Sequence, residues 1–241
     1  MGTAASLSFA DSAAERVDLA VLHSTFESFD ARYSLYRPDS EISRLARGEV
    51  ALPDTSSEFR AAYVTAIDWR ARTNGDFSPH RPDGVLDLSG VVKALAMDRA
   101  GEELRGAGAS DWCLNVGGDI LVSGRRTDGE DWTVGIVDPD DRSALLTSVE
   151  LHDSRRACAT SGSAERGDHI WTTGGEPAHF VQATVLADDI VTADVLATAI
   201  VSGGPRALDQ ICASWDIDAM TVDSDGEIRM TPHFQAHRPK D

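Results

Sequence analysis

Apolar positions recur every three to four residues from Ser12 to about Asp30. There Val17, Val21, Leu22, Phe26 and Phe29 share one face and predict an amphipathic helix. Before it, Ala5-Ser6-Leu7-Ser8-Phe9 alternates with the two-residue period of a strand. Tyr33 to Pro38 breaks both periods and predicts an irregular segment, after which Asp39 or Ser40 is placed to cap a short helix through Leu45. Another helix is predicted from Ser56 to Thr73, stopped by Asn74-Gly75. The segment Asp76 to Gly84, with Pro79, Pro82 and a DG turn, reads as a loop.

Val91 to Ala107 predicts a helix ended by Gly108, and Trp112 to Val122 a strand pair broken at Gly117-Gly118-Asp119. Strands are expected at Trp132–Val137, Leu145–Leu151 and Phe180–Leu186. A helix over Thr192 to Val201 stops at Gly203-Gly204, and a second runs from Pro205 to Trp215. Ala219–Val222, the turn Ser224-Asp225-Gly226 and Ile228–Met230 predict a closing hairpin. Helices and strands interleave irregularly, without repeat or linker. The expected fold class is therefore α+β, a single domain over residues 1–241 rather than a doubly wound sheet.

Composition narrows the function classes. With 41% hydrophobic residues in 241, the chain can bury a substantial core. A formal charge of -18 excludes a tracker of nucleic-acid phosphates, so no nucleic-acid partner is expected, and an anionic substrate would need a local cation or backbone amides. No run approaches the roughly 18 apolar residues of a membrane span, so no membrane partner is expected. The opening Met1-Gly2-Thr3-Ala4-Ala5-Ser6 has no basic start or apolar core of a secretion signal, which predicts a cytoplasmic protein. Cys113, Cys158 and Cys212 are widely spaced and predict inert buried thiols in a reducing compartment. Of 22 basic residues only Lys93 and Lys240 are lysines, which leaves Lys93 the one lysine inside the expected fold. A position that keeps a compact ammonium among so many guanidinium groups is a candidate, although chance can leave one behind.

Four blocks bear candidate chemistry. Asp194 and Thr198 stand four residues apart on one helix face, where a carboxylate and a hydroxyl can serve a hard cation such as Mg2+. The pair is equally met by an Asp favouring the positive end of a helix and a packed Thr. Leu86-Asp87-Leu88-Ser89-Gly90-Val91-Val92-Lys93 leads into a helix start whose amides can hold phosphate beside Lys93, without P-loop spacing; a plain strand-to-helix turn reads the same way. Asn115-Val116-Gly117-Gly118-Asp119 offers a close approach to a ligand or a tight bend. Ala157 to Gly162, small and hydroxyl-bearing, is expected to follow a strand; His169, seven residues on, is a general base or a structural His.

Taken in order, these blocks make the chain resemble the ApbE family, the FAD:protein FMN transferases. The resemblance runs through Met1-Gly2-Thr3, Ser34-Leu35-Tyr36, Asp39 to Leu45, LDLSGVVK, Asp98, NVGGDI, Trp132 to Ile136, ATSG, His169-Ile170 and TADVLATA, from residue 1 to about 205. It implies a two-lobed ApbE-like arrangement of mixed sheets and helices with a flavin groove between the lobes. It also implies Mg2+-dependent transfer of FMN from FAD to a Thr or Ser hydroxyl of an acceptor protein, releasing AMP. The acceptor is expected to be cytoplasmic. Hydrolysis of FAD to FMN and AMP, or FAD binding without catalysis, are the alternatives.

Carried over residue by residue, the resemblance makes Asp194 and Thr198 metal ligands, completed by the carbonyls near Gly90 and Ala197. Lys93 falls near the phosphates, and His169 activates the incoming hydroxyl; Lys93, His169 and Asp194 form the catalytic set. Thr3, Tyr36, Gly117, Gly118, Asp119, Thr160, Ser161 and Gly162 fall along the FAD groove. The chain departs from the family pattern at three places: Ala94 where Gly usually follows the lysine, Phe77-Ser78-Pro79 in place of Phe-Asp-Pro, and Trp171-Thr172-Thr173-Gly174-Gly175-Glu176-Pro177 in place of Asp-Pro-x-Thr-Gly.

Overall fold

A computed structural model describes residues 3–10, 16–152, 154–162 and 178–237. His169, residues 171–177 and Met1-Gly2 lie outside the described residues.

Among the described residues the α-helices and strands follow one another as β1 (Ala5–Phe9), α1 (Leu19–Tyr33), α2 (Glu41–Ala46), α3 (Ser57–Arg72), α4 (Ser89–Gly106), β2 (Trp112–Val116), β3 (Asp119–Ser123), β4 (Trp132–Val137), β5 (Leu145–Leu151), β6 (Ala157–Gly162), β7 (Phe180–Ala187), α5 (Ile190–Ser214), β8 (Asp218–Asp223) and β9 (Ile228–Met230). Helix α1 begins later than the apolar period predicts, because the Asp18 side chain accepts from the Ala20 amide and sets the first turn there. Ser40 rather than Asp39 caps α2, accepting from Ser43 N. The other predicted helices and strands form within a few residues of their expected ends. The exception is Ala157–Gly162, which does not follow a strand but is one, so that Thr160 to Gly162 form the strand end that the resemblance implies.

Seven strands form one antiparallel sheet in the order β1-β2-β3-β6-β7-β8-β9, and β4 and β5 form a separate two-stranded ribbon. Alternate side chains of the large sheet serve two cores. Trp112, Leu114, Val116, Leu121, Ala157, Ala159, Ala183, Val185 and Ala219 pack under the helices. Ile120, Val122, Cys158, Leu186 and Met220 face the ribbon residues Val134, Ile136, Val149 and Leu151, with Phe234 beside them. The sheet is thus a partition with a helical layer on one side and the ribbon on the other. Every residue along a strand is assigned to one layer by its parity.

Helix α5 lies against β6, β7 and α4. From Ala193 to Val201 all residues but Thr198 are buried, so the helix is apolar nearly all round because neighbours cover it nearly all round. The small faces of this stretch therefore pack within the chain. At Gly204 the backbone turns to φ 64, ψ -154 and Pro205 opens a second limb, which is the stop and restart that Gly203-Gly204-Pro205 predicts.

A polar cluster ties the C-terminal segment to the ribbon side. Arg155 donates from Nε to Asp218 Oδ2 and from NH2 to Asp216 Oδ1, each at 2.6 Å. His237 Nε2 stands 3.3 Å from Asp218 Oδ2, and its ring lies 5.2 Å from that of His152. Burial holds the His237 imidazole below its ordinary range; His152 and Arg155 push the same way, and Asp218 opposes them. With a depressed folded value, the unfolded chain binds the extra proton once pH falls below about 6.5. The stability that depends on neutral His237 is complete above that pH and is lost as pH falls through the folded value. The thermal midpoint is expected to drop between pH 7 and 5.5, and to drop less in His237→Gln; equal drops in the two proteins would remove His237 as the cause.

Candidate active site

Lys93 lies in the second turn of α4, buried among Val91, Val92 and Ala94. Its ammonium reaches across to the sheet and forms an ion pair with Asp119 Oδ2, and it stands 3.7 Å from Asp194 Oδ1 on α5. Both carboxylates are fully buried, and the Lys93 side chain is 10% exposed, so the ammonium is the outermost member of the trio. Two carboxylates are tolerated at such depth because an ammonium and hydrogen-bond donors face them. One such donor is the Thr160 amide of β6, which donates to Asp119 Oδ1 at 3.2 Å.

Thr198 follows Asp194 by one turn of α5, and its hydroxyl lies 3.0 Å from Ser161 Oγ. Gly90 opens α4, with the ring of Phe77 so close that a methyl at this position would sit 3.0 Å from it. Ala197 is buried on α5 next to Thr198. The departure at Ala94 is absorbed: its methyl packs into the helical core. Among the described residues, no group of three or more His, Cys, Asp or Glu side chains is placed to hold a metal ion. The expected ligand set is of another kind, with one carboxylate, one hydroxyl and carbonyl oxygens. Hard oxygen donors of this type suit Mg2+, which takes its remaining ligands from water and phosphate.

On the other face of the sheet, between it and the ribbon, lies a cleft of about 340 Å3. Asn115, Gly118, Thr160 and Gln182 line its floor, and Gly135 and Arg142 stand among its lining on the ribbon side. The Thr160 and Thr184 hydroxyls are bonded to each other at 2.9 Å. The expected groove residues are therefore divided by parity. Gly118 and Thr160 line the cleft, whereas their neighbours Asp119 and Ser161 turn to the helical side, against Lys93 and Thr198. Gly162 ends β6, pairing with Gln182. Tyr36 is 84% exposed on the loop between α1 and α2 and is not among the residues lining the cleft.

The glycines before Asp119 form the turn that lets β3 leave in the right phase. Gly117 has φ 62 and donates to Ala4 O at 3.0 Å, while the Gly118 amide donates to Asn115 Oδ1 at 3.0 Å. A Cβ on Gly117 would collide with the Thr3 hydroxyl. Gly117→Ala is expected to cost about 1–2 kcal/mol for the left-handed backbone alone. Urea unfolding checks this, and an unchanged midpoint would mean that the turn relaxes.

Residue parity also brings in side chains that are not among the expected site residues. Asn115, Gln182 and Cys113 share the cleft floor because each alternates with a residue of the helical core. Cys113 is half-buried, and burial pushes its thiol up to about 11. Burial likewise raises Cys158, and partial desolvation with Asp209 and Asp218 nearby raises Cys212, which keeps all three thiols protonated. Cys212, expected to be buried, is exposed at the surface of the second limb of α5.

The helix-backed antiparallel sheet agrees with comparison to known proteins. The model of the ApbE family matches residues 1–82 and 78–221, and the chain belongs to that family. Its sequence is 30% identical over 171 residues to the FAD:protein FMN transferase of Vibrio cholerae serotype O1, covering 66% of this chain and 50% of that protein. It is 32% identical over 162 residues to the FAD:protein FMN transferase of Rhodobacter capsulatus, covering 63% of this chain and 30% of that one. The chain thus spans half or less of the length of these curated relatives. Among solved structures, flavin transferase ApbE from Vibrio cholerae superposes with TM-score 0.78 at 24% identity, over 98% of this chain and 96% of that one. The ApbE protein of Thermotoga maritima gives TM-score 0.78 at 18% identity, over 98% and 94%. These likenesses establish the fold, α+β with the sheet arrangement of the family.

Proposed function

We propose that this chain transfers the FMN part of FAD to a Thr or Ser hydroxyl of an acceptor protein, with Mg2+ as cofactor and AMP as the product released. The observation that carries this reading is the Lys93–Asp119–Asp194 trio with Thr198 beside it. It sits one sheet thickness from a cleft whose floor is lined by the residues adjacent in sequence. FAD, the substrate, would lie with part of its length in the cleft. Its pyrophosphate would be turned around the β2–β3 turn and the end of β6 toward Lys93.

Asp194 and Thr198, with the carbonyls of Gly90 and Ala197, would hold Mg2+, which when bound supplies charge stabilisation at the pyrophosphate. Lys93 brings an ammonium to the phosphate oxygens, and Ser161 fixes the direction of the Thr198 hydroxyl. His169 takes the proton of the acceptor hydroxyl as its oxygen bonds to the FMN phosphorus. The bond from that phosphorus to the AMP oxygen breaks, and AMP leaves. A cytoplasmic acceptor is part of this reading, and three free cysteines held as thiols support it. Among the described residues no helix is long and apolar enough to cross a membrane.

The test is AMP release from FAD, with Mg2+ or with chelator, in the presence of a protein bearing a Thr- or Ser-containing flavinylation sequence. The intact mass of the acceptor is read in the same tube. AMP together with an acceptor heavier by one FMN is the expected result. AMP with free FMN and an unmodified acceptor would replace the transferase by a pyrophosphatase. Bound FAD without any AMP would leave a binding protein.

A further inference from the structure

Lys93 serves two carboxylates unequally. Asp119 is gripped at both oxygens, by the Thr160 amide on Oδ1 and by the ammonium on Oδ2, and its backbone is fixed at the start of β3. Asp194 is the more distant partner, with Oδ1 at 3.7 Å from the ammonium. On the reading that Asp194 is a ligand of the cation, an ammonium at this distance is a competitor for it. Two positive charges so close in a buried site repel strongly.

We propose that Lys93 is a tethered counter-ion for Asp194 that a divalent cation must displace, and that Asp119 is the anchor to which it retreats. Asp119 is then a positioning residue and acts only through Lys93. The arrangement holds down cation affinity while no anionic substrate is present to take the ammonium. It also keeps the Asp194 carboxylate neutralised in the meantime. Binding of the cation and of a pyrophosphate-bearing substrate is mutually reinforcing for the same reason: each accepts one of the partners that the other releases.

Mn2+ titration of the flavin-free full chain, followed by the electron paramagnetic resonance of the free ion, tests this without any turnover. Lys93→Gln, which keeps a donor toward Asp119, is expected to tighten Mn2+ by about tenfold, and Asp119→Asn to weaken it several-fold by leaving the ammonium on Asp194. In the double variant the Asp119→Asn effect is expected to vanish, because its only route is through the ammonium. Asp194→Ala is expected to abolish this Mn2+ binding, which places the probe at the site. Circular dichroism checks folding, and Lys93→Met stands in should Lys93→Gln not fold.

Unchanged or weaker Mn2+ binding by both Lys93 variants would overturn the proposal. So would an Asp119→Asn effect of equal size with and without Lys93. Failure here with normal AMP release from the unmodified chain would remove the counter-ion role and leave the transferase reading in place. The reverse pattern, coupled Mn2+ effects without AMP release, would remove the transferase.

Discussion

Asp194→Asn is expected to lower Mg2+-dependent AMP release from FAD by about a thousandfold, the size of effect when several kcal/mol of cation-borne charge stabilisation is lost. The amide is nearly the same shape as the carboxylate, and Lys93 keeps its ion pair with Asp119, so the fold has no reason to fail. The thermal midpoint is expected to stay within about 4 °C of the unmodified protein, which corresponds to roughly 1 kcal/mol for a chain of this size. Measuring both quantities on one preparation separates loss of chemistry from loss of structure. Turnover unchanged in the asparagine variant would remove Asp194 from the reaction, and with it the assignment of the cation.

The second large effect is on stability, at the far end of β6. Arg155 stands two residues before that strand and is buried between Asp216 and Asp218, with Asp218 itself 1% exposed. Arg155→Met removes the guanidinium and leaves the Asp218 carboxylate deep in the protein, a change that costs roughly 3–5 kcal/mol when a buried pair is broken on one side. The midpoint is expected to fall by about 6–20 °C. Thr160 to Gly162 lie at the other end of the strand, so AMP release well below the midpoint is expected to persist. A shift of under about 2 °C would show that His237 and Thr231, which also face Asp218, hold it without the arginine.

Much of this architecture is legible in the order of the residues. The pairing of Asp194 with Thr198 follows from helical spacing, and the break at Gly203-Gly204-Pro205 from backbone chemistry. Lys93 stands out because the chain otherwise writes its internal cations as arginine. What is not legible is which face of the sheet a residue serves. Asp119 and Gly118, or Thr160 and Ser161, read as one block, and only the helices and ribbon packed on opposite sides separate them into two roles. β6 is hard to see for a related reason. Ala157-Cys158-Ala159-Thr160-Ser161-Gly162 is small throughout and buried on both faces, so it lacks the alternation of large apolar and polar residues that marks a half-exposed strand.

The division of the sheet into two faces has a consequence for how such a protein changes over time. Substitutions at every second position along β2, β3, β6 and β7 can reshape the cleft without touching the charges of the Lys93–Asp119–Asp194 trio, and those at the intervening positions can do the reverse. Ligand preference and reactivity are separate traits that can drift independently. Insertion or deletion of a single residue in β3 or β6 would exchange the two sets at a stroke. Length in these strands is therefore expected to be held far more tightly than identity, and the natural place for variation in size is the ribbon and the loops at its ends.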